Sequence, residues 1–342
     1  MLDLWPIHIS ILGFIISVVG LLTIGIKLVT YADNIADRFR LGEALVGGLF
    51  LGAITSLSGS IVSGLSAYNG YHSLAINNCL GGIAAQTTFL IIADMTYRNV
   101  NLEHAAASLP NLVSCNLLIS LLGLSFLGAV IEVPEWLFIH PVSVVMLVLY
   151  LFGLKWLQET YKNPLWIPKR TKETRLDEPR PDSKESSVML VTKFTLSACV
   201  VAVLGYVITK SAESLISTTG LAENIAGGFL TAVITSLPEL VVSLSAVRQG
   251  ALTMAVANIL GGNTFDVLML VIADALSLEA PIYSYYKNEE FFLTSVILLM
   301  TSIIAIALAR REKQGPGDIG FEGVSILAIY FVSATLLVFK FV

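Results

Sequence analysis

Charge is what this sequence lacks most. Of 342 residues, 13% are Asp, Glu, Lys or Arg, while 55% are hydrophobic. A soluble domain averages about 25% charged residues. With a mean hydropathy of +0.80, most side chains must face lipid or other buried helices, and a soluble globular fold is excluded. The net charge of −5 gathers no basic face, which excludes a nucleic-acid partner. Cysteine is scarce: Cys79, Cys115 and Cys199 lie far apart in apolar runs, with neither a disulfide framework nor metal-ligand spacing, and read as small buried hydrophobes. The four histidines, His8, His72, His104 and His140, form no catalytic pair or zinc pattern. No bound cofactor is expected. A positive n-region is missing too: the chain opens MLDLWPIH, with Asp3 in that place, and the apolar run continues past Val29, so it reads as a membrane span and not as a cleavable signal.

What is present is a series of apolar runs. A bilayer core of about 30 Å takes roughly 20 apolar residues per helix. Ten runs meet that length: 8–30, 44–67, 74–96, 107–131, 138–159, 190–210, 225–247, 252–276, 291–309 and 321–341. Basic residues test the count. With the N-terminus outside, the inner segments carry Arg38, Arg40, Arg98, Lys162, Lys169, Arg170, Lys172, Arg175, Arg180, Lys184, Arg248, Arg310, Arg311 and Lys313. The outer segments carry only Lys210, Lys287 and Lys340. This positive-inside bias survives removal of the central loop, and one misplaced span would scramble it. The only long polar stretch, Tyr161 to Ser187, mixes both charges with Pro164, Pro168, Pro179 and Pro181 and reads as a flexible cytoplasmic linker.

The chain repeats itself. EALVGGLFLGAITSLSGSIVSGLSA from Glu43 matches ENIAGGFLTAVITSLPELVVSLSA from Glu223, and AINNCLGGIAAQTTFLIIAD from Ala75 matches AVANILGGNTFDVLMLVIAD from Ala255. Gly47 pairs with Gly227, Thr55 with Thr235, Asn78 with Asn258, Gly81 with Gly261 and Asp94 with Asp274, an offset of 180 apart from a one-residue slip near Gly64 that is later compensated. Each half holds five spans, and an odd number inserts the second half upside down. The expected fold is therefore an all-α polytopic membrane protein of ten transmembrane helices in two inverted five-helix repeats. The expected boundaries are 1–160, a linker over 161–189, and 190–342. Inverted repeats with interrupted helices at the midplane are the architecture of many secondary transporters.

Two carboxylates sit at the repeat centres. Glu239 and Asp266 fall mid-span, where an acid costs about 2.5–3.5 kcal/mol on the insertion scale. No Lys or Arg lies in the middle of a neighbouring span to neutralise them. Thr235 and Ser236 precede Glu239 at helical spacing. Pro238 has no N–H, so a kink is expected with the Ile234 carbonyl freed. Hydroxyls, a freed carbonyl and a carboxylate are hard oxygen ligands suited to Ca²⁺, Na⁺ or Mg²⁺. Asn258, Gly262 and Asp266 recur every four residues, and Gly261–Gly262 permits close helix approach. The first repeat offers weaker ligands: Thr55, Ser56, Asn77, Asn78 and Gln86, with Gly59 at the place of Glu239 and Ser58 at that of Pro238. The expected cation ligands are Glu239, Asp266, Thr235, Ser236, Thr55, Ser56, Asn78, Gln86 and Asn258. Asp94 and Asp274 read as interfacial structural residues, and Glu43 and Glu223 as acids at helix starts.

TSLPEL at Thr235 followed by LGGNTFD at Leu260 resembles the second α-repeat of the cation/Ca²⁺ exchanger superfamily, which includes the sodium/calcium exchangers. TSLSGS and LGGIAAQ resemble a divergent first α-repeat, and the resemblance covers essentially the whole chain. It implies alternating-access antiport of Ca²⁺ against Na⁺ or H⁺. Ions would bind between the second, third, seventh and eighth helices while the first and sixth slide past. It also implies ligand roles for Thr235, Ser236, Glu239, Asp266, Thr55 and Ser56, with Glu239 the main Ca²⁺ carboxylate. The departure is Gly59, where the family places a first-repeat acid. Two carboxylates balance one divalent or two monovalent ions, so electroneutral exchange is expected in place of a three-for-one cycle.

Other cations (Mg²⁺, or Na⁺ against H⁺) and a transport-inactive scaffold or sensor remain as readings. An enzyme would need a nucleophile–base pair or a metal cluster at depth, and the sequence has neither. The expected partners are inorganic cations and the lipid bilayer, in a prokaryotic cytoplasmic membrane with both termini outside.

Overall fold

The computed structural model describes residues 4–39, 52–97, 100–134, 137–169, 171, 186–316 and 319–340. Among these residues there is no strand, and nine helical stretches are long and apolar enough to cross a membrane. The expected second span, 44–67, falls partly outside the described residues, as do Glu43, Gly47 and most of the linker. Its described part comprises two helices, Gly52–Thr55 and Leu57–Tyr68.

In chain order the helices are α1 (Ile7–Phe39), α2 (Gly52–Thr55), α3 (Leu57–Tyr68), α4 (His72–Thr96), α5 (Leu102–Ala105), α6 (Leu109–Val130), α7 (Pro141–Lys162) and α8 (Ser187–Thr219). The second half continues with α9 (Glu223–Ile225), a π-helical stretch (Ala226–Thr231), α10 (Ala232–Thr235), α11 (Leu237–Gln249), α12 (Leu252–Asp266), α13 (Leu268–Leu276), a 3₁₀ turn (Ile282–Tyr285), α14 (Asn288–Arg310) and α15 (Gly320–Lys340). Adding 180 to the bounds of α1 gives those of α8, and adding it to α4 gives the start of α12 and the end of α13. The chain is an all-α membrane protein of ten transmembrane helices in two inverted five-helix repeats.

Burial sorts the helices by role. α4 and the α12–α13 pair are enclosed by protein on nearly all sides, whereas α1, α7, α8 and α15 bury little more than a quarter of their apolar windows. Ile11, Leu12, Ile15, Ile16 and Val19 stand exposed along α1. In water such a stripe would be a liability; against lipid tails it is the solvent-matched face. α1 and α8 pack along one another. Each has 33 residues, hence a length of about 50 Å, which exceeds the bilayer core of about 30 Å.

Bonds also obey the repeat. Ser63 Oγ donates to the Ala75 carbonyl (3.0 Å), and Ser243 Oγ to that of Ala255 (3.2 Å). The turn glycines Gly70 and Gly250 share φ values of 85° and 82°, a left-handed conformation that glycine reaches without strain. These pairs keep the offset of 180 through residue 64, so the slip suggested by the sequence match does not exist.

Two further expectations need correction. The kink expected in the span over 225–247 is present as a break at Ser236, reached through the π-helical stretch. Proline alone does not cause that break, because the first repeat breaks at Ser56, with Ser58 where Pro238 stands. Cys199 is exposed on α8, unlike buried Cys79 and Cys115.

Candidate cation site

Broken helices bring hydroxyls of one repeat to carboxylates of the other. The turn at Ser56 joins α2 to α3, and the turn at Ser236 joins α10 to α11. Between them lie Glu239 on α11 and Asp266 at the end of α12, both buried. Ser56 Oγ donates to Glu239 Oε1 at 3.2 Å, and Thr55 bonds the same carboxylate. Ser56 also reaches Asp266. One hydroxyl carries one proton, so it serves only one acid at a time. Gln86 on α4 donates its Nε2 to Asp266 Oδ2 at 2.6 Å and to Ser236 Oγ at 3.3 Å. Glu239, Asp266, Ser56, Thr55, Gln86 and Ser236 therefore form one cluster.

Asn78 and Asn258 hold the backbone around it. Asn78 Nδ2 donates to the Gly59 carbonyl (3.1 Å) and to Ser63 Oγ (2.9 Å). Asn258 Nδ2 donates to the Glu239 carbonyl (3.3 Å) and to Ser243 Oγ (3.1 Å). Positions 59 and 239 thus sit in equivalent frames. Thr235 is buried, and its hydroxyl donates to the Ala232 carbonyl at 3.3 Å; the Thr235 carbonyl takes a bond from Ser58 Oγ (3.3 Å).

The unmet valences have one sign. Glu239 Oε2, Asp266 Oδ1, Gln86 Oε1, Asn78 Oδ1 and Asn258 Oδ1 are buried oxygens without a hydrogen-bond partner. Their amide nitrogens are all engaged. Buried acceptors left unmatched cost about 1–3 kcal/mol each, and a cation satisfies several at once. Among the described residues no salt bridge reaches either carboxylate, and no three His, Cys, Asp or Glu side chains gather as a metal cluster. The cluster is two acids among neutral oxygens, a donor set for hard cations.

Several residues around the site were not singled out from sequence. Met269 on α13 packs against Gly59, and Ser63 Oγ points to its sulfur at 3.9 Å. Cys79 Sγ donates to the Asp266 carbonyl (3.0 Å) where α12 ends. Asn263 bonds Thr87 (3.0 Å) and leaves its Oδ1 unpartnered. Glu290, completely buried, accepts from Ser73 Oγ (2.8 Å) and Asn77 Nδ2 (2.7 Å) and ties α14 to α4. Its partner Ser73 also lines a cavity of about 360 Å³, with Gly70, His72, Glu223, Tyr285 and Lys287 among the other lining residues.

Asp94 and Asp274 lie away from the cluster and clamp loops. Asp94 Oδ1 accepts from Leu102 N (2.6 Å) and Asp274 Oδ1 from Ile282 N (2.9 Å), an equivalent pair. Glu223 does more than begin a helix, since its Oε2 accepts from Leu74 N of the other repeat (3.3 Å).

Comparison with known proteins places this geometry in a context. The model of the sodium/calcium exchanger protein family matches residues 9–157 and 189–339. An uncharacterized membrane protein of Methanocaldococcus jannaschii is 23% identical over 323 residues, 92% of this chain and 96% of that protein. The sodium/calcium exchanger MaX1 of Methanosarcina acetivorans is 32% identical over 122 residues, 35% of this chain and 32% of its own length. The solved structure of the sodium-calcium exchanger NCX_Mj, soaked with 2.5 mM Na⁺ and 0.1 mM Ca²⁺, superimposes with a TM-score of 0.64 at 20% identity, covering 96% of this chain and 98% of that one.

Proposed function

The chain belongs to the sodium/calcium exchanger protein family and is a cation antiporter of the membrane; from that premise we propose that it exchanges Ca²⁺ for Na⁺ or H⁺, electroneutrally, by alternating access at the Glu239–Asp266 cluster. The observation that carries this reading is the set of unpartnered oxygens at that cluster, two of them on fully buried carboxylates. Glu239 and Asp266 supply the charge. Thr55, Ser56, Thr235, Ser236, Gln86, Asn78 and Asn258 supply neutral oxygens or hold the frame. Two carboxylates balance one Ca²⁺, or two Na⁺ or H⁺, so the site stays neutral in both half-cycles and no net charge moves. The repeats, 1–160 and 190–342, would trade conformations around the site, with the 161–189 linker in the cytoplasm and both termini outside a prokaryotic inner membrane, as the basic-residue bias supports.

The test is Ca²⁺ uptake into liposomes holding the purified protein, under an outward Na⁺ or an outward H⁺ gradient, beside Glu239→Gln. Uptake under either gradient that the variant loses supports the reading and names the driving ion. Absence of uptake under both rejects Ca²⁺ and directs the assay to Mg²⁺ and to Na⁺ against H⁺. Current accompanying uptake rejects electroneutrality.

A further inference from the structure

The internal symmetry poses a question at position 59. Gly59 and Glu239 are repeat mates, and their carbonyls are held by mates too: Asn78 donates to one at 3.1 Å and Asn258 to the other at 3.3 Å. The backbone frame for a second acid is intact, yet only the second repeat carries one. The space beside Gly59 is filled. A Cβ added there would lie 2.6 Å from the Met269 methyl carbon, 3.2 Å from its sulfur and 3.6 Å from Thr235 Oγ1. Met269 is buried, and Ser63 Oγ points to its sulfur at 3.9 Å. Further along the same face, a Cβ at Gly64 would meet Leu276 (3.0 Å) and Ile272 (3.2 Å). α13 therefore lies along the glycine face of α3, with Met269 at the level of the ion site.

We infer that Met269 is a specificity-determining residue: its thioether plugs the first-repeat half of the cation site and limits the site to the charge of Glu239 and Asp266. This inference rests on the function proposed above. A thioether is a soft, uncharged ligand that hard cations do not choose over oxygen. It is also unbranched and adaptable, the side chain best suited to filling an irregular gap left by a missing group. Thr235 Oγ1 lies 3.6 Å from the Cβ that residue 59 would carry, so a side chain placed there would meet its hydroxyl. Removing the plug and supplying an acid would add one negative charge, and with it one more monovalent cation per cycle.

The experiment compares wild type, Gly59→Glu, Gly59→Glu/Met269→Ala and Met269→Glu in proteoliposomes, with Ca²⁺ accumulation read at clamped membrane potentials. Met269→Glu delivers a carboxylate to the same volume without adding bulk beside Gly59, so it answers the question if the Gly59 variants misfold. Gly59→Glu alone should slow uptake about tenfold, because the new side chain meets the plug, and Met269→Ala should rescue it. Accumulation by the double variant and by Met269→Glu should become potential-dependent, about 50-fold per 100 mV for one net charge. A merely structural role for Met269 would change rates and leave this dependence at zero. Ca²⁺ uptake in the double variant or Met269→Glu that stays independent of potential overturns the inference while the proposed function stands. Wild-type uptake that depends on potential overturns it as well. Lack of wild-type uptake under any gradient overturns the function on which it rests.

Discussion

Gln86 holds Asp266 by a bond of 2.6 Å, and its contribution is separable from charge. Gln86→Leu keeps the size and removes both the donor and the unpartnered oxygen. Asp266 Oδ2 then loses its amide partner in a buried place. Ca²⁺ affinity should fall about tenfold, the worth of one hydrogen bond to a charged group, read as the half-saturating Ca²⁺ of uptake. Glu239→Gln removes a carboxylate outright and should cost about a hundredfold or more. Equal losses in the two variants would mean that Gln86 is itself a primary ligand. At this scale the sequence is legible in part. Thr55, Ser56, Glu239, Asp266 and Gln86 stand out because the repeat aligns them and because polar groups in apolar spans are conspicuous. Met269 and Glu290 do not. A methionine in an apolar helix looks like core, and Glu290 lies at a helix start where an acid needs no special reason. Only their long-range partners reveal them.

Helix junctions carry the next level of argument. At Gly81 a Cβ would fall 2.6 Å from the Gly228 carbonyl oxygen and 2.8 Å from its Cα. Backbone cannot step aside as a flexible side chain can. Gly81→Ala should therefore push α4 off the π-helical stretch and lower the melting temperature of the purified protein by several degrees, an overpacking cost of about 1–3 kcal/mol. By contrast Gly82 has only ordinary contacts, Ser236 Oγ at 3.4 Å and Asp266 Oδ2 at 3.8 Å, so Gly82→Ala should leave stability near wild type. The adjacent glycines look alike in the sequence, and both face the other repeat; their opposite outcomes come from how closely its atoms approach, backbone at 2.6 Å in one case and side chains at 3.4 Å or more in the other. Nor was the π stretch readable, since its residues AGGFLT have no hydrophobic period that separates π from α.

The loop after α4 holds a second titratable element, outside the membrane spans. Glu103 on α5 is buried, and burial pushes its carboxyl up to about 7 from an ordinary 4.5, with Glu322 and Glu312 adding repulsion. Asp94 of α4 also faces it. The bases nearby are already committed: Arg310 to Glu312 and Glu322, and Arg311 to the His104 and Lys169 carbonyls. Between about pH 4.5 and 7 the folded protein keeps a proton on Glu103 that the unfolded chain has lost, so stability falls as pH rises through that window. The melting temperature should drop from pH 5 to pH 8, by an amount corresponding to no more than about 3 kcal/mol. Glu103→Gln should flatten the profile. An unchanged slope in that variant would assign the pH dependence to other groups.

On the scale of the whole molecule, the partition into an enclosed core and an outer pair predicts what moves. α4, α12 and α13 are enclosed, while α1 and α8 pack on one another and show lipid-matched faces. The site side chains are buried in this conformation, so an ion leaves only if some wall shifts. One such wall is α8 against α3, which meet closely: a Cβ at Gly205 would lie 3.0 Å from the Ser58 carbonyl oxygen and 3.4 Å from Ile61 Cβ. That spacing is close to what a disulfide spans. Ile61→Cys/Gly205→Cys, made with Cys199→Ser, should therefore cross-link under mild oxidation and stop Ca²⁺ uptake, with reductant restoring it. A bridge inside the outer pair, Gly13→Cys/Ser211→Cys, joins positions where a Cβ at residue 13 would lie 2.7 Å from Ser211 Oγ. It should leave uptake within about threefold of wild type, because it constrains no element against the core. Should the first bridge form fully and transport continue, α8 does not move against α3 and access must open elsewhere. Should the second bridge abolish transport, α1 and α8 do not travel as one body. The ten-span count and the inversion were readable from apolar length and basic-residue placement, because lipid imposes those rules on every span. Which helices form the moving pair was not, because α1 and α4 are both simply apolar in the sequence and differ only in what surrounds them.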